Sequence, residues 1–444
     1  MKNIYIFTIL LFSIFSMILI PAEAREGSDG SGSDGLKLEG LYEKGNTYSN
    51  PFSQTKYVPG ISFIMDFSYN RIADDLDTSS VLNIPGFIPG ANAAGGEGSI
   101  MNGNNGFNLN YGELALFAAV DPYFDLFTAL GLGEHSFGIE ELYINSRKFP
   151  GGFRLKLGKF KSSFGRINSQ HAHQWDFMDI PLGYRVFFGK EGLIEKGVQL
   201  NWVAPLDFYL ALGVESLQGQ NEISFGADSF SIPGKNDQDD LSVKGSVLPS
   251  LWTVFAKSSF DIGDLVILSG VSYATGSSRA NTIDGYDGEA FSGTSKILGF
   301  DLTLKYLLDS YRYISLTSEY ITRNMEGINY TYGEEQDLLK NNLSKKQSGF
   351  YTQIVYRFKR LWRAAARFDF LGKNKIINNN VPEDYPEDLK RFSFMFDYSP
   401  TEFTRIRLQY NHNRYIYDGE KLLKPNELII QFNIAIGAHG AHPF

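Results

Sequence analysis

Four of the six histidines of this chain fall in two short clusters. His171 and His173 alternate, with Asp176 and Asp179 close behind, and His439 and His442 sit in the terminal run HGAHPF. Alternating imidazoles can reach one metal ion, and imidazole together with carboxylate suits zinc. His171, His173, Asp176, His439 and His442 are therefore the candidate metal ligands, and Zn2+ is the one cofactor the pattern admits, although none is required. Two histidines do not complete a tetrahedral site, so loop histidines bonded to backbone or water are the plainer alternative. The chain has no cysteine, which excludes disulfides, thiolate zinc sites, cysteine nucleophiles and a lipidated cysteine. Asp237, Asp239 and Asp240, and again Asp284, Asp287 and Glu289, gather oxygens without completing a calcium loop, and read as solvated loop charge. The sequence holds no G-x-S-x-G, H-E-x-x-H or phosphate-loop motif, and nothing places a nucleophile beside a base. An enzyme is thus the weakest of the readings. A net charge of −9 argues against nucleic acid as a partner.

A second set of charges is spread along the chain at alternating positions. Arg154, Lys156, Lys305, Arg357, Arg363, Arg367, Arg405 and Arg407 share this habit with Asp66, Asp301, Glu319, Asp369 and Asp397. What they do depends on the elements that carry them. The clearest such element is the last, where Leu428, Ile430, Phe432, Ile434 and Ile436 alternate with Gln431, Asn433, Ala435 and Gly437. Successive side chains of a strand point to opposite faces, so this segment has one greasy face and one small polar face. Similar alternation occurs at 61–69, 153–157, 198–204, 208–214, 298–306, 314–320, 350–358, 362–370, 392–398 and 406–410. Less regular candidates lie at 108–119, 124–131, 138–147, 250–260 and 265–274. The total is about sixteen strands, an even number within the range of membrane barrels.

The chain opens with Lys2, an apolar run as far as Pro21 and then Ala22-Glu23-Ala24. This is the pattern of a secretory signal peptide over residues 1–24, the alternative being an uncleaved anchor. Residues 25–60 start rich in Gly, Ser and Asp and read as a flexible periplasmic lead-in. No later segment offers the ~20 apolar residues of a spanning helix. An integral membrane protein of this sequence must then be a barrel, because every backbone group in lipid has to be bonded internally. The expected fold is all-β: a transmembrane antiparallel β-barrel over residues 61–444, in a bacterial outer membrane, greasy toward lipid and polar toward a wet lumen. The 25 tyrosines and 36 phenylalanines suit the aromatic girdles of such a barrel.

Connection lengths sharpen the expectation. Short turns at 121–123, 149–152, 205–206, 261–263, 309–310, 359–361 and 400–402 alternate with long segments at 73–106, 161–196, 218–248, 275–295, 323–347, 372–390 and 413–425. Only the connection at 133–136 is brief on the long side. Membrane barrels sort loop length by side, whereas a soluble sandwich has no reason to. Two-residue register then makes the eight basic residues above pore-lining candidates. Rings of basic side chains favour anions. The alternative is that they form wall ion pairs that only brace the barrel. The same sidedness separates the two histidine pairs, so they are not expected to share one ion. The segment 161–196 is too apolar for a solvated loop, with Phe164, Trp175, Phe177, Ile180, Leu182, Tyr184 and Phe187. Apolar loop residues need something to pack against, and the inside of the barrel supplies it. Folded inward, the segment narrows the lumen, with Arg166, Asn168, Trp175 and Arg185 as its constriction residues.

Several stretches carry a resemblance. DPYFDLFTALGL (121–132), GIEELYINSRKFPGGFRLKLGKFKSSFGRINSQHAHQWDFMDIPL (138–182), GKEGLIEKGVQLNWVAP (189–205) and the terminal HGAHPF resemble bacterial outer-membrane proteins labelled zinc-regulated TonB-dependent outer membrane receptors. The resemblance implies an outer-membrane barrel and a link to zinc or other metal supply. The matching positions are Gly165, Arg166, Asn168, His171, His173, Trp175, Asp176, Phe177 and Pro181. Strand count and chain length are similar to those of porins, including the phosphate-selective ones, whose lumens are lined with basic residues, and 161–196 follows the fifth strand as does the narrowing loop of general porins. The expected function is a porin for passive diffusion of small solutes, leaning toward anions. The alternative is a metal-binding receptor or metal uptake channel. Outer-membrane lipid and small solutes are the expected partners, and a homotrimer is the assembly usual among porins.

Overall fold

The computed structural model describes residues 59–73, 82–87, 101–134, 136–147, 149–221, 223–235 and 240–437. The expected signal peptide, nearly all of the lead-in, Asp237, Asp239, His439 and His442 lie outside the described residues. The alternating segments form strands β1 (Gly60–Ala73), β2 (Gly106–Ala119), β3 (Phe124–Leu132), β4 (Phe137–Ser146), β5 (Phe153–Lys161), β6 (Ile194–Val203), β7 (Tyr209–Leu217) and β8 (Leu251–Ile262). They continue as β9 (Leu265–Asn281), β10 (Ala290–Leu307), β11 (Tyr313–Tyr332), β12 (Leu338–Lys359), β13 (Trp362–Asn378), β14 (Leu389–Thr401), β15 (Thr404–Arg414) and β16 (Asn426–Gly437). Each pairs antiparallel with its neighbours in chain order. β1 pairs with both β2 and β16, so the sheet closes into a 16-strand barrel without a free edge. At the seam, Asp66 accepts hydrogen bonds from Asn110 of β2 (2.5 Å) and from Gln431 (2.7 Å) and Asn433 (2.9 Å) of β16.

Register decides which face each residue takes. On β16, Phe432 and Ile436 are 39% and 64% exposed, while Gln431, Asn433 and Ala435 at the alternate positions are buried. The greasy row thus looks outward and the small polar row inward, as in a barrel bathed in lipid. Beside the tight 359–361 turn, Tyr356, Phe358, Trp362, Phe396 and Tyr398 form an aromatic patch, with Trp362 stacked on Tyr398 at 4.3 Å. Two of the tight turns are set by aspartates. Asp121 Oδ1 accepts the N–H groups of Tyr123 (2.7 Å) and Phe124 (2.8 Å), and Asp309 does the same for Tyr311 and Arg312.

One expectation about connections changes. Segments 275–295 and 323–347 are largely strand, because β9 to β12 run 17 to 22 residues and continue as tall hairpins. A spanning strand needs only about 9–11 residues. Beyond the lipid both faces of a strand meet water or protein, so the ladder continues while the apolar alternation fades.

Residues 162–193, between β5 and β6, turn into the lumen and carry two single 3-10 turns and one helix, α1 (Leu182–Phe188), with every residue of α1 buried. The main apolar cluster of the protein is built around this segment. Phe164, Trp175, Ile180 and Phe187 meet Ile84, Phe87 and Met101 from the β1–β2 connection, and Leu217, Ile297, Ile321, Tyr351 and Leu371 from the wall.

Candidate functional site

The inward loop is fixed at its entrance by side chains of β7, β9 and β11. Ser163 N–H donates to Glu215 of β7 (2.8 Å), and Gly165 N–H to Ser272 Oγ of β9 (3.1 Å). Glu319 of β11, 2% exposed, accepts four hydrogen bonds: Arg166 N–H (2.8 Å), Ile167 N–H (3.0 Å), Tyr184 O–H (2.6 Å) and Tyr351 O–H (2.6 Å). Gly165 is required here. Its φ is +61°, and a Cβ would lie 1.7 Å from Tyr184 Oη. Asn168 closes the base of the loop, donating to the carbonyls of Ser162 (2.8 Å) and Leu193 (3.0 Å) and accepting from Leu193 N–H (2.7 Å).

The middle of the loop meets arginines from β13, β14 and β15. Asp179 accepts Arg367 Nη2 (2.7 Å) and Gln409 Nε2 (2.8 Å), and pairs with Arg391. Both arginines also donate to Asp369 Oδ2 at 3.0 Å, and Asp369 Oδ1 accepts Leu182 N–H at the start of α1 (2.7 Å). Two guanidiniums and two carboxylates thus form a buried neutral quartet, the arrangement in which buried charge is tolerated. Burial opposes the charge of Asp179, but Arg367 and Arg391 hold its carboxyl well below the usual carboxylate range. Arg405 Nη2 donates to His173 O (2.7 Å) and Arg407 Nη2 to Trp175 O (2.8 Å). Asp176 accepts Gln353 Nε2 (2.8 Å) and Arg363 Nη1 (2.9 Å), and Arg363 also pairs with Asp397.

The opposite flank of the loop leans on β2 and β4. His171 lies between two carboxylates, Nδ1 at 3.2 Å from Glu113 Oε2 and Nε2 at 2.7 Å from Glu141 Oε2. Burial opposes its charge, but hydrogen bonds and charge from Glu113 and Glu141 push its pKa up to about 9. His173 is buried, with Nδ1 3.7 Å from Glu113.

All eight expected pore-lining basic residues take the inward register, yet they divide into two groups. Arg363, Arg367, Arg405 and Arg407 hold the loop. Arg154, Lys156, Lys305 and Arg357 sit nearer the short turns. Lys156 Nζ lies over Tyr143 (4.6 Å) and Lys305 Nζ over Tyr313 (4.7 Å), while Arg357 Nε donates to Arg360 O (3.1 Å). Arg154 and Lys156 form no ion pair among the described residues. With Asp125, Asn145, Arg147 and Asn201 they line a cavity of about 420 Å³.

The constriction set is corrected. Arg166 keeps partial exposure, but Asn168, Trp175 and Arg185 are buried and build the loop. Arg185 points into the β1–β2 connection, within 3.4 Å of Met101 O and Asn102 Oδ1. Asp176 is likewise removed from the metal set, because it faces Arg363 and Gln353. The residues that do surround His171 are Glu113, Glu140 and Glu141. The one signal of them in the sequence is the adjacent pair Glu140-Glu141, which breaks the alternation of β4. Arg391 and the four-bond role of Glu319 carry no local signature.

The closed ring, its apolar exterior and its inward loop define the fold of a porin-like outer-membrane β-barrel. The chain belongs to the same family as a protein of Aquifex aeolicus (strain VF5), described as an uncharacterized protein. The two are 46% identical over 413 residues, covering 92% of this chain and 85% of the other. No protein-family model matches. Among solved structures, the outer membrane channel DcaP of Acinetobacter baumannii aligns with a TM-score of 0.50 at 10% identity, over 86% of this chain and 99% of that one. The anion-selective porin from Comamonas acidovorans aligns with a TM-score of 0.46 at 9% identity, over 86% of this chain and all of that one. The likeness is to porin-like barrels and does not extend to the receptor label of the sequence resemblance. A TonB-dependent transporter needs about 22 strands around a plug, whereas here a 16-strand ring is crossed by its own loop.

Proposed function

We propose that this protein is a passive diffusion channel of a bacterial outer membrane, leaning toward anions, with its width set by the loop at 162–193. The observation that carries the reading is the division of the lumen's basic residues. Arg363, Arg367, Arg405 and Arg407 are committed to the loop, whereas Arg154 and Lys156 line open space without a carboxylate partner. A passing solute therefore meets uncompensated positive charge on the wall and paired charge at the loop. No chemistry on the solute is needed, since such a pore selects by width and by the sign of its lining. Reconstitution in planar bilayers with a KCl gradient tests this. Discrete conductance steps with a reversal potential of the sign set by chloride are expected. Cation selectivity would overturn the anion preference, and folded protein that never conducts would overturn the channel.

A further inference from the structure

Where the loop meets β2 and β4, the chemistry differs from the rest of the lumen. Elsewhere the carboxylates that meet the loop face guanidiniums, phenols or backbone N–H groups. Here three carboxylates, Glu113, Glu140 and Glu141, gather around His171.

Their convergence depends on a β-bulge. Between β3 and β4 the register shifts, so that Ala129 faces Glu141 while Leu130 faces Ile139, and Glu140 is the inserted residue. Strict alternation would send Glu140 to the lipid face, next to the inward Glu141. The bulge brings both inside, and re-aiming a side chain is a recurring use of bulges. Gly131 leaves room for it: a Cβ there would lie 2.5 Å from Glu140 Oε1. Ligand atoms of Glu113, Glu140 and His171 lie within 4.8 Å of one another. Glu140 forms no hydrogen bond or ion pair among the described residues, while the other carboxylates are held. Glu141 Oε1 accepts Lys161 N–H (2.7 Å) and its Oε2 holds His171 Nε2 (2.7 Å). That leaves Nδ1 of His171 turned toward Glu113.

We propose that Glu113, Glu140 and Nδ1 of His171 bind one divalent transition-metal ion of the zinc class, with Glu141 orienting the imidazole from behind. One imidazole and two carboxylates are a donor set for such ions, and the imidazole disfavours calcium and magnesium. A carboxylate on the second ring nitrogen is the usual support of a ligating histidine, since it fixes the tautomer and the ring plane. The ion takes the place of the Nδ1 proton and joins the loop to β2 and β4. The flank of the loop away from the arginine wall would thereby be tied to the barrel.

The site can be tested whether or not the barrel conducts. Zinc chloride is titrated calorimetrically into the folded, detergent-solubilised full chain carrying His439→Ala and His442→Ala, so that the terminal histidines do not contribute. One equivalent of zinc is expected to bind. Glu140→Gln and His171→Ala should each weaken it by more than about tenfold, and Glu141→Gln by roughly tenfold as a supporting residue. Asp176→Asn should leave the isotherm unchanged. Gly131→Ala, which crowds the Glu140 carboxylate without removing a ligand, supplies a second variant if Glu140→Gln folds poorly, and should also weaken binding. Zinc binding of undiminished affinity in folded Glu140→Gln or Gly131→Ala, or no binding by the parent chain, overturns the site. Loss of binding in Asp176→Asn would overturn this ligand set in favour of one nearer the arginines.

Discussion

Two carboxylates hold the lumen loop by different physics. Glu319 acts as a neutral-partner hub, since its four donors are two backbone N–H groups and two phenols. Asp179 acts through charge, facing Arg367 and Arg391, which share Asp369. Replacing Asp179 by Asn leaves two buried guanidiniums against one carboxylate. Breaking a buried ion group in this way costs about 3–5 kcal/mol. The expected outcome is a barrel that still closes but holds its loop loosely, seen as larger and noisier single-channel currents at neutral pH. The pH dependence follows with a definite sign. The folded carboxyl of Asp179 sits below its unfolded value, so its stabilisation is fully present above pH ~4 and is lost as pH falls through the depressed value. Wild-type conductance should therefore stay flat from neutral down to mildly acid pH and rise only in strong acid, with no such rise in Asp179→Asn. A wild-type transition near pH 6 would contradict this assignment.

At the scale of elements, the loop and α1 are fitted by close backbone approaches. Gly165→Ala places a methyl into Tyr184 Oη at a positive φ. It should displace the loop entrance from Glu319 and raise conductance without changing the strand content measured by circular dichroism. Deleting about ten residues around α1 should raise conductance further; unchanged conductance would show that the loop does not set the width. The inward course of this loop was legible in its sequence, because Phe164, Trp175, Phe177 and Phe187 could not be left in water. Its partners were not. Which wall residue meets Asp179 or Arg166 depends on how far round the ring the loop reaches, and no local pattern records that distance. The tall hairpins of β9 to β12 were hidden for a different reason. Residues such as Lys345, Lys346 and Asn342 lie in strand yet outside any lipid, so they carry no apolar row.

For the whole molecule, the net charge of −9 is no guide to the anion preference proposed for the pore. Selectivity answers to the lining, because fields in a narrow low-dielectric lumen are set by the nearest charges. Arg154 and Lys156 are the pair to change, as they face open space and hold no part of the loop. Glutamate at both positions should move the reversal potential toward cations while leaving the size of the conductance steps similar. An unmoved potential would locate selectivity at the loop.

Period two in the side chains is a local property. It therefore announced the strands and their faces, and connection lengths announced the two sides of the barrel. In the sequence, Asp176 stands beside His171 and His173 as a candidate ligand only because it is near in the chain. The tertiary structure instead set Asp176 against Arg363 and brought Glu113 and Glu140 to His171 from strands on the opposite flank. That outcome turned on one bulge in β4 and on where the ring closes. Both are matters of register between segments far apart in the chain, which the order of residues within either segment does not contain.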